Sequence, residues 1–470
     1  MTLRAASRLF LLSLVAIAGI SPAKSAAQST NAANANPGAD LQMVVMLSRH
    51  GVRSPIGSPD QYNKYSAVPW PAWDVPPGFL TARGYQLMKI FGAWDRTKFS
   101  GEGLFSPAGC ADSGRVTIRA DIDQRTLESA KALAEGMFPG CSLPVHSQAA
   151  APSDGSASSG SMPGASSDAS SSMGSTPGSR PDPLFRPLVA GVAHVDPALA
   201  IAAIDGRIGG EPNHLTEALH PQLAALDHVL AGCGHEPVNA KRVSIFDIPS
   251  SLKPGSGDPP VAAGGPLVTA STMAENLLLE YTQGMHDADV GWGCVDGATL
   301  RDLMQLDTAR WDYGFRTPVI ARTYASNLLD HILRTMEQSV TGNSVPGAIG
   351  NPGDRLVLLV GHDTNIVAVA GALGINWVFD GREDDTPPGG ALVFEVWRSR
   401  ADGKPFVRVE YMAQTLEQMR NATALTLADP PADAPVFVPA CSRQDLSCAW
   451  DGFSAAVRQT IDPADVSPQP

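Results

Sequence analysis

The sequence predicts an α/β protein, a sheet core flanked by helices that carries a mainly α-helical insertion. Three observations predict it. Short apolar runs of strand length lie near both ends of the chain, at residues 41–47, 115–120 and 355–360. Stretches with helical apolar spacing come after them. Between the two ends, residues 195–340 are mainly helical in pattern, over 213–231, 267–285, 298–313 and 317–340. Strands alternating with helices at both ends, around a helical block, suggest one sheet interrupted by an insertion.

Length and composition set the frame. The chain has 470 residues, where single domains usually run to roughly 100–200. Two units, or one large α/β domain with insertions, are both consistent with that. Hydrophobic residues make up 43%, enough for a sizeable core, and the 39 Pro and 45 Gly imply long connections. The formal net charge is -13. Nucleic acid and anionic membrane need basic surface, so neither is expected as the main partner. An anionic small molecule is not excluded, because a few arginines can dominate a pocket inside an acidic protein. The mature chain is expected to act as a monomer.

The first 27 residues read as an export signal. Arg4 and Arg8 form a positive start, and the apolar run 9–20 is too short for a membrane span of roughly 20 residues. Ser25-Ala26-Ala27 supplies small residues for cleavage after Ala27. An N-terminal anchor helix is the alternative. The expected location is periplasmic or secreted. Six cysteines without a CxxC pair suit that compartment and suggest disulfides rather than zinc. Cys441 with Cys448 closes a short loop, Cys110 with Cys141 brackets a strand and a helix, and Cys233 and Cys294 remain.

In order, residues 28–40 are Asn-, Ala- and Ser-rich and expected to be disordered. Residues 41–148 form the first part of the α/β core. They hold the strand 41–47, a Pro-rich loop over 55–78, a helix over 81–99, a strand over 115–120 and a helix over 124–137. Residues 149–180 are almost all Ala, Ser, Gly, Pro and Asp. They cannot bury enough apolar surface to offset ordering entropy, so a disordered insertion is expected, with a spacer between two domains as the alternative. Residues 181–315 are assigned to the helical part and 316–470 to the second part of the core. The latter contains the strand 355–360, a helix over 365–373 and a hairpin of 391–398 with 406–412.

Two segments carry chemistry. Arg49-His50-Gly51-Val52-Arg53 sits where the first strand gives way to a loop, at the kind of strand end that faces the ligand crevice in α/β sheets. Two crowded guanidinium groups call for an anion between them, and their planar forks suit phosphate oxygens. A neutral imidazole there can attack phosphorus. Gly51 would leave room for backbone to approach a ligand. A surface loop with solvated arginines is the alternative. Val360-Gly361-His362-Asp363-Thr364-Asn365 ends a second apolar strand. Alone, Asp363 reads equally as a helix N-cap and His362 as a satisfied core histidine. A third segment, from Arg119 to Arg125, adds a further cation unless its arginines pair with Asp121 and Asp123.

These segments resemble histidine acid phosphatases. Arg49-His50-Gly51-Val52-Arg53-Ser54-Pro55 matches the RHGxRxP signature, and Gly361-His362-Asp363-Thr364-Asn365 matches the His-Asp motif. The likeness runs from Met43 to about Val457 and is strongest to the bacterial periplasmic phytase and glucose-1-phosphatase branch. Supporting stretches include Ala120-Asp121-Ile122-Asp123-Gln124-Arg125-Thr126, Pro181-Asp182-Pro183-Leu184-Phe185, Gly291-Trp292-Gly293 and Thr386-Pro387-Pro388-Gly389-Gly390. The resemblance implies a phosphoglycerate-mutase-like mixed sheet flanked by helices. It implies that His50 is the nucleophile, that Arg49, Arg53, Arg125 and His362 hold phosphate, and that Asp363 protonates the leaving oxygen. Four such donors position and neutralise a phosphoryl group without a metal ion or other cofactor. Cys110, Cys141, Cys441 and Cys448 match the family's disulfide positions, while Cys233 and Cys294 do not match cleanly.

The substrate implied is a phosphate monoester, phytate in the first instance. Gly51-Val52 and Thr364 fit the phytase form. Ile56-Gly57 departs from it, standing where these phytases tend to carry Thr-Lys. Arg316 or Lys64 is a candidate for outer phosphates, and Asp287 or Asp289 for a substrate-facing acid. A glucose-1-phosphatase or broad sugar-phosphate phosphatase is the alternative, and a non-catalytic phosphate-ester binding protein is the alternative of another class.

Overall fold

The computed structural model describes residues 38–148, 180–255 and 257–470. The expected signal segment 1–27 lies outside the described residues, as does the Ser/Gly/Ala-rich stretch apart from Arg180. The first part of the chain runs β1 (Ala39–Arg49), α1 (Pro59–Asn63), α2 (Ala82–Gly101), β2 (Val116–Ala120), α3 (Gln124–Met137) and β3 (Val145–His146). The middle part is α4 (Pro197–Arg207), α5 (Asn213–Ala218), α6 (His220–Leu230), a hairpin of β4 (Ser251–Pro254) and β5 (Val261–Gly264), then α7 (Pro266–Gln283), α8 (Gly297–Phe315) and α9 (Pro318–Thr341). The last part is β6 (Leu356–Gly361), α10 (Asp363–Leu373), β7 (Val378–Phe379), β8 (Arg382–Glu383), β9 (Ala391–Ser399), β10 (Pro405–Ala413), α11 (Leu416–Asn421), β11 (Ala432–Pro435), β12 (Cys448–Ala449) and α12 (Trp450–Thr460).

The central sheet is mixed, in the order β11-β10-β9-β1-β6-β2-β3, with β12 on β10. β1, β6, β2 and β3 are parallel, and β9 turns the sheet antiparallel on the other side of β1. β1 and β6 are buried on both faces, which is why they read as unbroken apolar runs. Met43, Val45 and Leu47 face the core shared with α9, α10 and α12. Val44 and Met46 face the opposite core, shared with α2 and α3. A third core joins α6, α7, α8 and α11.

Register brings the chemistry-bearing segments together. Arg49 pairs with Gly361 and Ala120 with Val360, so β1, β2 and β6 end side by side. Their next residues are tied by backbone bonds, His50 N to Gly361 O at 3.0 Å and Asp121 N to Val360 O at 3.0 Å.

Several expectations are corrected. The N-terminal stretch 28–40 is not wholly outside the fold, because Ala39 and Asp40 already pair with Ser399 and Arg398 of β9. The helix over 213–231 is two helices, since Pro221 lacks an N–H and crowds the preceding turn. The helical block also contains the β4–β5 hairpin. The boundaries between parts are not clean either. Val52, Tyr62, Trp70 and Leu87 join the helical core, because this Pro-rich stretch buries its aromatics there. Leu184 and Phe185 instead join the sheet's core.

The disulfides are Cys110–Cys141, Cys233–Cys294 and Cys441–Cys448. The pair without a clean family match, Cys233–Cys294, is bridged as well. Among the described residues, no helix is long and apolar enough to cross a membrane.

Candidate active site

The site lies at the carboxyl ends of β1, β2 and β6. His50 is buried. Its Nδ1 lies 2.9 Å from the Gly51 carbonyl, which can only accept, so Nδ1 carries the proton and Nε2 keeps its lone pair. Burial pushes the imidazolium far below its ordinary value, and Arg125, Arg49 and Arg53 push the same way. Both the hydrogen bond and the surrounding charges favour the neutral ring. His362 lies beside it, with ring centroids 5.7 Å apart.

Gly51 has a different purpose from the one expected. A Cβ there would come within 2.7 Å of Met88 Cγ and 3.1 Å of the Gly84 carbonyl. The glycine lets β1 run hard against α2, and Gly51 N donates to Ser129 of α3 at 2.8 Å. It seats the His50 backbone rather than a ligand.

The arginines converge but are not bare. Arg49 Nη1 donates to the Thr386 carbonyl at 2.5 Å, and its Nη2 sits 2.9 Å from Asp363 Oδ2. Glu275 of α7 places Oε1 between Arg49 Nη2, at 2.5 Å, and Arg53 Nη2, at 2.8 Å. Burial would raise this carboxyl, but Arg53 and Arg49 outweigh it and hold it at about 2. A carboxylate oxygen thus stands where the two arginines could share an anion's oxygen. Arg125 Nη2 is 2.5 Å from Asp123. Burial and the neighbouring Arg53 and Arg186 lower Arg125 to about 10, against the pull of Asp123.

His362 is held from behind. Its Nε2 meets Asp121 Oδ2 at 2.7 Å, and its backbone N donates to Asn365 Oδ1 at 2.9 Å to start α10. Burial lowers its imidazolium, opposed by the Asp121 hydrogen bond. Arg186 spans Asp121 and Asp123 at 2.6 Å each. Asp121, Asp123 and His362 could group around a cation, but this guanidinium already supplies the charge at those oxygens. Asp363 Oδ1 accepts from Thr364 N at 2.8 Å. The positive end of α10 also faces this cluster.

His50, Arg49, Arg53, Arg125, His362 and Asp363 therefore come together, with Thr364 beside them. Other expected residues do not join. Arg316 is buried against the Ile375 carbonyl at 2.7 Å, Asn376 and Asp384, an anchor for the end of α8 rather than a contact for substrate. Asp287 is exposed and paired with Arg420, and Asp289 is exposed. Lys64 lies over the Tyr65 ring at 4.6 Å. Arg119 is fixed to the buried Asp182 at 2.9 Å. Sequence reasoning missed Glu275 and Arg186. An acid on the apolar stretch of α7, one of two with Glu280, was the available signal for the first, and the position directly after Phe185 was the signal for the second.

Comparison with known proteins agrees with this arrangement. The histidine phosphatase superfamily (branch 2) matches over residues 40–180 and 275–412. Phytase AppA of Escherichia coli K12 is 33% identical over 446 residues, covering 92% of this chain and 94% of that protein. The chain belongs to branch 2 of the histidine phosphatase superfamily. A glucose-1-phosphatase of Salmonella typhimurium is 28% identical over 88% of this chain and 90% of its own length. The solved Hafnia alvei phytase in complex with myo-inositol hexakis sulphate superposes with a TM-score of 0.77 at 32% identity, covering 92% of this chain and 99% of that one. Citrobacter braakii phytase gives 0.78 at 32%, covering 91% and 99%. The protein is a phosphatase with this superfamily's mixed α/β fold, acting on phosphate esters.

Proposed function

We propose that the enzyme hydrolyses phosphate monoesters through a phosphohistidine on His50, with phytate as its principal substrate. The observation that carries this is the state of His50, a neutral ring whose Nδ1 is tied to the Gly51 carbonyl and whose Nε2 is free among three arginines. Nε2 attacks phosphorus. Arg49, Arg53 and Arg125 take the equatorial oxygens, and His362 donates to another from the nitrogen not committed to Asp121 once the bound phosphate and Asp121 hold a second proton on its ring. Asp363 gives its proton to the leaving oxygen, and water then releases phosphate from His50. An incoming phosphate must displace Glu275 from the arginines or bind beside it as that carboxyl turns away. Three disulfides and the signal-like first residues support a periplasmic or secreted location. A monomer that binds neither nucleic acid nor membrane fits the acidic composition.

A broad sugar-phosphate phosphatase is the second reading. Ile56-Gly57 favours it, because no cation stands there, and Arg316 is committed elsewhere.

Acid quench of the mature protein with labelled substrate tests the chemistry. A phosphohistidine is expected, lost with turnover in His50→Ala; full activity in that variant would exclude the mechanism. Turnover of phytate against glucose 1-phosphate at acid pH then decides the substrate. Equal, poor use of both favours the generalist.

A further inference from the structure

A second acidic group reaches the site from the helical part. The β4–β5 hairpin packs Val261 and Leu252 against Ile204 of α4, Ile208 just past its end, and Ile320 of α9. Its tip is closed by Gly255 N donating to the Pro260 carbonyl at 2.9 Å. The tip carries Asp258. Asp258 Oδ2 lies 3.4 Å from the hydroxyl of Tyr324, a buried residue of α9. Its Oδ1 is shut off from solvent and has no hydrogen-bond partner among the described residues.

Tyr324 connects this carboxyl to the proposed general acid. Its hydroxyl is 3.1 Å from the Phe185 carbonyl, which also accepts from Asn365 of α10 at 2.8 Å, and it neighbours the side chain of Thr364, the residue after Asp363. Thr364 N in turn donates to Asp363 Oδ1. The hydroxyl has one proton and cannot donate to both Phe185 and Asp258. A protonated Asp258 closes the count by donating to the Tyr324 oxygen while Tyr324 donates to Phe185. The charges around Asp258 agree. Burial pushes it up to about 7, with Asp121 adding to the push and Arg186 and the Tyr324 hydroxyl opposing it.

We propose that Asp258 is a positioning residue for this phosphatase: through Tyr324 and Thr364 it holds the Asp363 carboxyl in place for proton delivery to the leaving oxygen. The proposal rests on the reading of Asp363 as general acid. Asp258 touches no reacting atom. Its effect is confined to substrates whose leaving group needs that proton.

The test compares kcat for glycerol phosphate and p-nitrophenyl phosphate at acid pH in the mature enzyme. Asp258→Ala is expected to lower kcat for the alkyl ester about tenfold, a fraction of what a general acid supplies. The aryl ester, whose leaving group needs no proton, should change less than about twofold, with KM held in both cases. Asp258→Asn keeps a donor and should restore most of the alkyl rate. Tyr324→Phe, which removes only the hydroxyl, should reproduce the selective loss and serves if Asp258→Ala does not fold. Equal losses on both esters, no loss on either, or an Asn variant as poor as Ala would overturn the role. Asp363→Asn is run alongside. If it shows no dependence on leaving group, the acid assignment itself has failed; if it does and the Asp258 variants do not, only the present proposal falls.

Discussion

Glu275 is the residue on which ligand entry turns. It neutralises Arg49 and Arg53 in the free enzyme and competes with any anion for the same donors. Glu275→Gln should tighten inhibition by inorganic phosphate about tenfold, since a hydrogen bond to a charged group is worth roughly 1.5–3 kcal/mol. The same change strips a buried pair of its countercharge, so the melting temperature should fall. Unchanged phosphate inhibition at acid pH would show that Glu275 does not share the anion's donors. The acid itself, on an apolar helix, was the one trace of this role around position 275. An acid on an apolar helix acquires meaning only from the face that tertiary packing turns toward β1. His50 and His362 were legible because each follows an unbroken apolar run, and buried parallel strands leave that trace. Asp258 left none and Arg186 only its place after Phe185, because their partners come from other elements and spacing does not encode them.

At the scale of elements, the contact between α2 and the turn after β1 sets the position of His50. Gly51 faces Met88 and Gly84, and a Cβ at Gly84 would in turn stand 2.0 Å from the Val52 carbonyl. Gly51→Ala should cost about 1–3 kcal/mol as an overpacking change, measured by denaturant midpoint, with a matching loss of kcat. Adding Met88→Ala should recover part of the stability, because Met88 Cγ is the nearer obstacle. Full stability in the single variant would contradict the packing argument. The expected strands and long helices were found close to where apolar spacing put them. The break at Pro221 and the small hairpin were missed, because both lie inside a stretch whose average pattern is helical.

The whole molecule carries a charge imbalance beneath α2. Lys98 lies 3.0 Å from Glu102 and 2.8 Å from both Glu395 and Glu410, with Trp397 Nε1 donating to Glu395 at 2.8 Å and Arg408 nearby. One lysine cannot balance three carboxylates. Burial, with repulsion from Glu395, pushes Glu102 up to about 7 and Glu410 up to about 8 against the pull of Lys98. Both groups are raised when folded, so the folded state binds more protons than the unfolded chain between the ordinary glutamate value and about pH 8. Their contribution to stability is therefore complete below that ordinary value and is lost as pH rises through 7 to 8. Glu275 runs the other way, lowered when folded, so its contribution is lost only as pH falls toward about 2. The melting temperature should decline from pH 5 to pH 8, and Glu102→Gln with Glu410→Gln should flatten the decline. An equal slope in wild type and double variant would place the effect elsewhere.

The position of β1 also bears on how the protein is made. It is among the first strands synthesised, yet both its neighbours, β6 and β9, come from the last third of the chain. Until the ribosome has passed residue 399, this largely apolar strand has at least one bare edge, and until it has passed residue 363 His50 has neither His362 nor Asp363 beside it. A partly made chain is thus inert toward phosphate esters and at the same time prone to stick to other strands.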